Sequence, residues 1–553
     1  MSDNRAEQII QMQQQEEAKA SNFRNLYQQV ADLILPRENQ ITGQRTSGED
    51  KSLLIRDPTA LMDLDDMVSG FVNVFFPAEQ LPFSFIPDNV AFRNVDKFQK
   101  YLTMCSEITY QKMMASNFML QLHEALSSNI GLGTACMFSE WNNKILGLNF
   151  KDWDVSHFTF KQDCRGFPDT TILKYSLTAR QAVDLFGDNA GKEVLKAVNE
   201  LKNESKMFDF IHLVRPRIKR NVMLVDNINM PFESLYVNIK EKNIIEEGGY
   251  EENPYHIPRW KKSSFEKWGR GQGTAVLSTI KELQQMHKDL LEMGNRYAGH
   301  MPLEVVDANV EGEVDLSPDA INHVTERYSI NPVQANALGS FPYTKEIFEM
   351  QRDIIHRAFF RDVFAPLADL PGDRRTRLEI IERVKQAMKR LSGPVYRLQS
   401  ELFNPVITRS MLLLIRNGAI PSPEEAGVPE LAGKGFGIEY TGELALALRD
   451  QQARAFQQFA AFTAQADAIF PEEKPSDNIN ADKAIRRQAR SFGVNEDDLS
   501  TEEEVLAKRD RRMKMIQSQM AMQAAQTAGQ AYGNVTKKPE EGSPAGNLMG
   551  VGK

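Results

Sequence analysis

The chain has 553 residues, a formal net charge of -9, 41% hydrophobic residues and 25% charged residues. This length exceeds what one hydrophobic core normally fills, so we expect several substructures, and the composition is typical of a folded protein and excludes a disordered one. Because proteins that bind nucleic acid with their whole surface are usually basic, the acidic balance leaves only local or loose contact with DNA.

The apolar runs and the N-terminus predict a protein without a membrane segment. The longest apolar runs, such as MLLLI at 411–415, fall far short of the roughly 18 residues that a membrane span needs. The first residues, MSDNRAEQII, lack the apolar centre of a signal peptide. We therefore expect the protein to be made and kept in a cytoplasm, with no membrane partner.

The cysteines Cys105, Cys136 and Cys164 are widely spaced and include no C-x-x-C pair. This spacing supports neither a disulfide framework nor a zinc site. We therefore expect buried free thiols in a reducing compartment.

The first element that the sequence predicts is a helix that ends before Pro36. Its apolar residues recur at helical spacing, at Phe23, Leu26, Tyr27, Val30, Leu33 and Ile34. Two further helices are expected within DPTALMDLDDMVSGFVNVFF at 57–76 and FMLQLHEALSSNIGLG at 118–133.

The character of the sequence changes between 145 and 260. Short apolar segments such as ILGLNF, FIHLVRPRI and SLYVNI are separated by Gly, Asp, Asn and Pro, which predicts a strand-rich region. One helix, TARQAVDLFG, is expected inside it, with Thr178 as its N-terminal cap and Gly187 as its stop.

Two long helices are predicted next, at about 274–298 and 344–363. The second has an apolar stripe made of Ile347, Phe348, Ile354, Ile355, Ala358, Phe359 and Val363. The loop APLADLPGDRR ends it, and the T-R-L-E spacing from Thr376 to Glu379 is a capping box that begins another helix. Gly393 and Pro394 then open a helix toward Arg416.

The C-terminal part from about 444 onward is rich in Ala and Gln and almost entirely helical by its pattern. Ser500 and Glu503 form another capping box within it. The last twenty residues, 534–553, have the composition of a disordered tail.

The sequence contains only incomplete matches to catalytic, metal-binding and cofactor-binding motifs. GDNAGKE at 187–193 has the wrong glycine spacing for a phosphate loop, HEALS at 123–127 lacks the second histidine of a zinc helix, and GRGQG at 269–273 does not follow a buried parallel strand. We interpret the first as a turn that ends a helix and the last as a turn that introduces one. We predict no catalytic residue, no metal ligand and no cofactor.

The DLDD segment at 63–66 admits one alternative, a nuclease whose metal is held by Asp63, Asp65 and Asp66 together with distant carboxylates. Consecutive carboxylates on a helix point in different directions, so a solvated helix face is the favoured interpretation.

Several stretches follow one another in an order that resembles one protein family. They are NFRNLYQQVADLILP (22–36), LLIRDPTALMDLDDMVSGFVNVFFP (53–77), FMLQLHEALSSNIGLGTACMF (118–138), DVSHFTFKQDCRGFPDTTILKYSLTARQAVDLFG (154–187), ESLYVNIKEKNIIEEGGYEENPYHIPRWKKSSFEKWGRGQGTAVLSTIKELQQM (233–286), RLSGPVYRLQSELFNPVITRSMLLLIRNGAIPSP (390–423) and EYTGELALALRD (439–450). Together they resemble the portal, or head-to-tail connector, proteins of short-tailed bacteriophages. The most specific stretch carries Pro258, Arg259, Trp260, Gly269 and Gly271 in the order of the family.

The resemblance implies an α+β, mainly helical fold that assembles as a ring, typically dodecameric, at one capsid vertex. The ring is the channel for packaging and ejection of double-stranded DNA. It implies as partners further copies of the chain, the terminase large subunit, a tail adaptor, and scaffolding and major capsid proteins.

The parts of such a protein follow the order of the elements along the chain. They are a mixed α/β wing at 1–270, a first stem helix at 271–300, a clip at 301–343, a second stem helix at 344–363, a channel loop at 364–375, wing helices at 376–450, a helical crown at 451–533 and a disordered tail at 534–553. By this division, the residues that pack the stem helices are Ile347, Phe348, Ile354, Ile355 and Phe359.

The most basic stretch, GDRRTRLEIIERVKQAMKRLSGPV at 372–395, divides into two parts. Its helix has a buried apolar face and a solvated charged face, whereas Arg374 and Arg375 precede the capping box and lie in the loop. In a ring these two arginines would place positive charge near the DNA path, and salt bridges between subunits are the alternative. A helical scaffold or tail component remains the other function that the helix-rich C-terminal third allows.

Overall fold

The computed structural model describes residues 2–38, 40–43, 49, 54–77, 81–199, 204–224, 226–298, 303–305, 330–332, 345–364, 390–440, 456, 458–467, 469, 481–482, 484–485, 500 and 502–535. The chain divides into two compact units, Met1–Leu448 and Arg449–Lys553. Within the described residues no helix is long and apolar enough to cross a lipid bilayer.

Helices of 4 to 33 residues occur in the described part of the first unit. In chain order they are α1 (Ser2–Ile34), α2 (Thr59–Phe75), α3 (Asp96–Met114), α4 (Phe118–Gly131), α5 (Ala179–Phe186), α6 (Lys192–Asn199), α7 (Gln272–Ala275), α8 (Leu277–Ala298), α9 (Lys345–Ala358), α10 (Arg361–Phe364), α11 (Ser392–Leu398) and α12 (Asn404–Arg416). A π-helical turn, Gln399–Phe403, joins the last two. In the second unit, helix α13 spans Glu502–Val535.

The strands form four antiparallel groups among the described residues. They are β1 (Phe83–Pro87), β2 (Met137–Asn142), β3 (Gly147–Asp152), β4 (Phe158–Gln162), β5 (Pro168–Thr178), β6 (Met207–Pro216), β7 (Phe232–Asn238), β8 (Asn243–Tyr250), β9 (Tyr255–His256), β10 (Leu303–Val305), β11 (Ile330–Pro332) and β12 (Phe436–Tyr440). Their orders are β4-β5-β6-β7-β8, β3-β2-β9, β1-β12 and β10-β11.

The five-stranded sheet is buried on both faces. Successive residues of a strand point to opposite sides, so one strand contributes to two apolar clusters. Phe210 and Leu173 face the main core, while their neighbours Ile211 and Ile172 face a second apolar cluster. The N-terminal part of α1 covers that second cluster with residues such as Ile9.

The local signals for α5 are confirmed in detail. Thr178 accepts a hydrogen bond from the amide of Gln181, whose side chain accepts one from the Thr178 amide, which completes a capping box. Gly187 ends the helix with φ of 58°, a left-handed conformation that glycine adopts without steric cost. The GDNAGKE stretch is a 3-10 turn followed by α6, as expected of a turn that ends a helix.

The strand-rich region and most helices also lie where the sequence predicts them, and α1 ends at Ile34 before Pro36. Two expectations, one for a helix and one for a cysteine, are wrong. The helix expected over 344–363 is broken, because α9 ends at Ala358 and α10 begins at Arg361. Cys105 and Cys136 are buried free thiols, but Cys164 is exposed because it lies in the turn between β4 and β5.

Several sequence predictions lie outside the described residues. They are the capping box at Thr376, the channel loop beyond Phe364, and all of the clip except two short strands, where Val305 pairs with Ile330. The tail is described only for its first two residues, which end α13.

Candidate functional site

The helices α8 and α9 pack side by side through apolar residues. Of the five residues predicted to pack the second stem helix, Phe348, Ile355 and Phe359 are buried and Ile347 is partly buried, whereas Ile354 is 41% exposed. The rings of His287 on α8 and Phe348 on α9 lie 4.8 Å apart. The pair also contacts α2 and the segment before it, and we take this contact region, the base of the helix pair, as a candidate functional site.

A buried carboxylate, Asp57, joins the two helices at this base. Oδ2 of Asp57 lies 2.9 Å from Nε2 of His287 on α8. The same oxygen accepts hydrogen bonds from Nη2 and Nε of Arg352 on α9, at 2.7 and 3.0 Å. Gln284 of α8 adds three bonds to the backbone of residues 56 and 57. One side chain that precedes α2 therefore fixes both helices at once.

The electrostatics of Asp57 favour its ionised form. Burial alone would raise its pKa, but hydrogen bonds from Thr59 and from the guanidinium of Arg352 outweigh burial and hold the pKa below its ordinary value. The side chain of Asp57 is 1% exposed while that of Arg352 is 39% exposed, so the carboxylate is sealed and the cation reaches water.

A second carboxylate, Asp63 on α2, holds α9 in place. Its Oδ2 lies 2.6 Å from Nδ1 of His356, and its Oδ1 lies 3.9 Å from Nε of Arg361 on α10. Burial raises the pKa of Asp63, and the hydrogen bond from His356 and the charge of Arg361 offset this only in part. The expectation of a solvated face for the DLDD segment is therefore wrong for Asp63, because α2 packs this side of the helix against α9 and α10.

The other two carboxylates of that segment, Asp65 and Asp66, are partly exposed, whereas Asp63 is buried. Across the described part of the chain, no three His, Cys, Asp or Glu side chains are grouped so that they could hold a metal ion.

The segment that contains Pro258, Arg259 and Trp260 lies in the interior of the first unit. Trp260 is buried with its ring 5.6 Å from that of Phe71 on α2. The carbonyl of Pro258 accepts a hydrogen bond of 2.8 Å from the side-chain amide of Asn129 on α4. These contacts fix the segment between two helices.

Arg259 makes the most deeply buried ion pair that the structure describes. Its Nη2 lies 2.5 Å from Oε1 of Glu401, and its Nε and backbone amide donate to Oε2 at 3.1 and 3.0 Å. The two side chains are 2% and 4% exposed. Nη2 also donates to the carbonyl of Gly166 at 2.9 Å. Glu401 lies in the π-helical turn before α12, and such turns occur often at functional sites.

The glycines of the same segment allow two backbones to meet. A Cβ at Gly269 would lie 2.0 Å from the carbonyl oxygen of Gly133, and one at Gly271 would lie 2.4 Å from that of Gly131. Tyr27 of α1 donates a hydrogen bond of 2.5 Å to the Gly269 carbonyl and so closes this junction. Any larger residue would push the segment off α4.

The arginines predicted for the channel loop, Arg374 and Arg375, lie outside the described residues. Sequence reasoning missed Asp57 and Glu401, and it named Asp63 only as a candidate metal ligand or as part of a solvated face. These three carboxylates carry the ion pairs at the two junctions. One signal was present: Glu401 is followed directly by the apolar Leu402 and Phe403, and a charge beside a buried face indicates a buried partner. No signal identified the partner itself.

The arrangement is that of a structural joint. Its charged groups are directed at one another and hold helices, turns and strands in fixed positions. The base of α8 and α9 is tied to α2, and the segment 258–271 is tied to α4 and to the turn before α12.

Comparison with known proteins identifies the family of the chain. Residues 6–499 match the model of the family described as bacteriophage head to tail connecting protein. The chain is 23% identical over 547 residues to the portal protein of Salmonella phage epsilon15, which covers 96% of this chain and 95% of that protein. It is 21% identical over 513 residues to the probable portal protein of Bordetella phage BPP-1, with 90% and 89% covered. The chain therefore belongs to the family of bacteriophage head-to-tail connecting proteins, structural components of the junction between the phage head and its tail.

Proposed function

We propose that this connector works as a dodecameric ring at one vertex of the capsid, and that double-stranded DNA passes through the ring during packaging and ejection. The observation that carries the proposal is the match to the connector family over nearly the whole chain, together with two portal relatives of similar length.

The exposed apolar residues of the helix pair support assembly into a ring. Leu291 on α8 is 56% exposed, and Met350 and Ile354 on α9 are 54% and 41% exposed. Each helix thus has apolar side chains on the surface that its partner helix leaves uncovered. In a ring, neighbouring copies bury such surfaces through one repeated head-to-tail contact.

The parts of the ring follow the order of the chain. The wing is 1–270 with the helices of 376–450, the first stem helix is 271–300, the second stem segment is 344–363 with its break between α9 and α10, the clip is 301–343, the channel loop is 364–375 and the crown is 451–533. The ring provides the docking platform for the terminase large subunit and the tail adaptor, and it assembles with scaffolding and major capsid proteins in the bacterial cytoplasm.

Loose contact with DNA fits the net charge of -9. Each phosphate that a protein neutralises adds affinity through counterion release, and tight binding would slow translocation. A few basic loop residues on an acidic chain suit a channel better than a basic surface does. We assign this contact to Arg374 and Arg375.

Images of the purified protein test the ring. We expect class averages with rotational symmetry and a central hole in negative stain. A charge at Met350, in Met350→Glu, should abolish rings, because a carboxylate would have to be buried between copies, while the circular dichroism spectrum stays unchanged. The matched control is Leu185→Glu on α5, also an exposed apolar residue of a helix, which should leave rings intact. Rods or monomers from the unaltered protein would contradict the proposal.

A double substitution tests the DNA contact. Arg374→Ala with Arg375→Ala should leave rings intact and reduce the amount of DNA packaged per particle, because the channel loses its ring of positive charge. The readouts are ring images and the DNA content of purified particles. Loss of rings in this variant would mean that the pair forms salt bridges between subunits.

A further inference from the structure

The break between α9 and α10 is a strained turn. Phe360, which stands at the break, has φ of 56°. A bulky residue rarely adopts this left-handed conformation, and it persists only where surrounding contacts impose it. The apolar stripe of the sequence continues with helical spacing from Ile347 to Val363, so local preference favours one unbroken helix. Something outside the helix therefore holds the break open.

Asp63 is hydrogen-bonded to a residue before the break and lies within ion-pair distance of a residue after it. His356, before it, has Nδ1 2.6 Å from Oδ2 of Asp63, and Arg361, after it, has Nε 3.9 Å from Oδ1. Nη1 of Arg361 also lies 3.0 Å from Nε2 of His356. One buried carboxylate thus contacts a residue before the break and a residue after it. In a continuous helix these two residues would lie at a different distance and angle from each other.

Beyond the break, helix α10 packs against α2. The ring of Phe364 packs 5.3 Å from that of Phe71 and covers Gly70, where a Cβ would lie 2.3 Å from the ring. Phe364 is the last described residue before the segment 365–375, so the direction of α10 sets where that segment begins.

We propose that Asp63 is a positioning residue that holds the break at Phe360, and that loss of its ion pairs lets residues 345–364 become one continuous helix. This change redirects the entry of the chain into the segment 365–375, which carries Arg374 and Arg375. That last step rests on the channel role proposed above. The two arrangements compete. The broken form gives Asp63 its partners and packs Phe364 on α2, whereas the continuous form relieves the strain at Phe360.

Hydrogen exchange of the purified full-length protein tests the two arrangements. In Asp63→Asn the amides of Phe360, Arg361 and Asp362 gain acceptors within a continuous helix, so their exchange should slow about ten-fold or more. Asp65→Asn, a partly exposed neighbour on the same helix, should leave these amides unchanged. Unchanged or faster exchange in Asp63→Asn would overturn the proposal, since it would mean that Asp63 only stabilises the native form.

A rescue experiment separates positioning from general stability. Glycine adopts positive φ freely and disfavours helix, so adding Phe360→Gly to Asp63→Asn should restore the exchange rates of the unaltered protein. Phe360→Ala in the same background removes the ring but keeps the Cβ, and it should not restore them. Equal rescue by both would overturn the role of the strained turn.

The link to the channel has its own readout. Asp63→Asn should form rings and package less DNA, and the added Phe360→Gly should restore packaging. If exchange changes as expected while packaging does not, the link from the turn to the channel is overturned. Absence of rings from the unaltered protein would instead contradict the proposed function, and the exchange result would still stand or fall by itself.

Discussion

The ion pair of Arg259 with Glu401 and the cluster around Asp57 both bury a carboxylate, but they differ in how far water reaches the cation. Arg259 is 2% exposed, whereas Arg352 is 39% exposed. A charge pair that is fully desolvated becomes very costly to break, because the remaining charge has no water to replace its partner. A cation at the surface can be rehydrated, so the same loss costs less.

The difference in the exposure of the cation agrees with the location of each site. The Arg259 pair fixes a segment inside the first unit to the π-helical turn and to the carbonyl of Gly166. The Asp57 and Asp63 clusters join α2 and the residues before it to α8 and α9, and their partners Arg352 and His356 are 39% and 22% exposed, so water reaches these partners when they separate from the carboxylate. We infer that the first site sets the shape of the body and that the others set the direction of the helix pair.

The largest effect is expected from breaking the buried pair on one side. Arg259→Met should lower the free energy of unfolding by about 3–5 kcal/mol, because Glu401 loses its buried partner and keeps only Arg397, whose Nε lies 3.9 Å away. Replacing both partners, Arg259→Met with Glu401→Met, should recover most of that loss. Urea unfolding followed by fluorescence measures both.

The matched control for this prediction is in the same segment. Arg270 pairs with Glu266, but its side chain is 48% exposed, so Arg270→Met should change the free energy by only about 0–1 kcal/mol. Equal losses from Arg259→Met and Arg270→Met would break the comparison, because burial would then not decide the cost.

A smaller effect, about 2 kcal/mol, is expected for Asp57→Asn, which weakens the charged hydrogen bonds from Arg352 and His287. Because the pKa of Asp57 in the folded protein is below its ordinary value of 3.8, the carboxylate contributes stability above that pH and loses it as the pH falls further. The difference between variant and unaltered protein should therefore be constant near neutral pH and shrink below about pH 4.

Unfolding curves at several pH values measure this effect, with Asp353→Asn on the exposed face of α9 as the control. We expect the control to differ from the unaltered protein by less than about 0.5 kcal/mol at every pH. A difference for Asp57→Asn that grows on acidification would contradict the assignment of an ionised, stabilised carboxylate.

Prediction from sequence succeeded where the signal is local. The cap at Thr178 and the stop at Gly187 require only neighbouring residues, and α5 has both. The helix predicted over 344–363 shows the limit of such signals, because its apolar stripe is continuous and the break at Phe360 depends on Asp63, 293 residues from His356 along the chain. The family stretch at 258–271 was also recognisable, but not the reason for its residues.

The sequence by itself determined the class of the fold, the positions of most helices, the strand-rich region and the family, because periodicity, caps and ordered motifs are properties of short stretches. Only the tertiary structure decided which charges are buried and with whom. Arg259 meets Glu401 across 142 residues, and Arg352 meets Asp57 across 295. Such partners are chosen by how helices and strands pack, since a carboxylate removed from water must be satisfied by whichever cation the packing brings within reach.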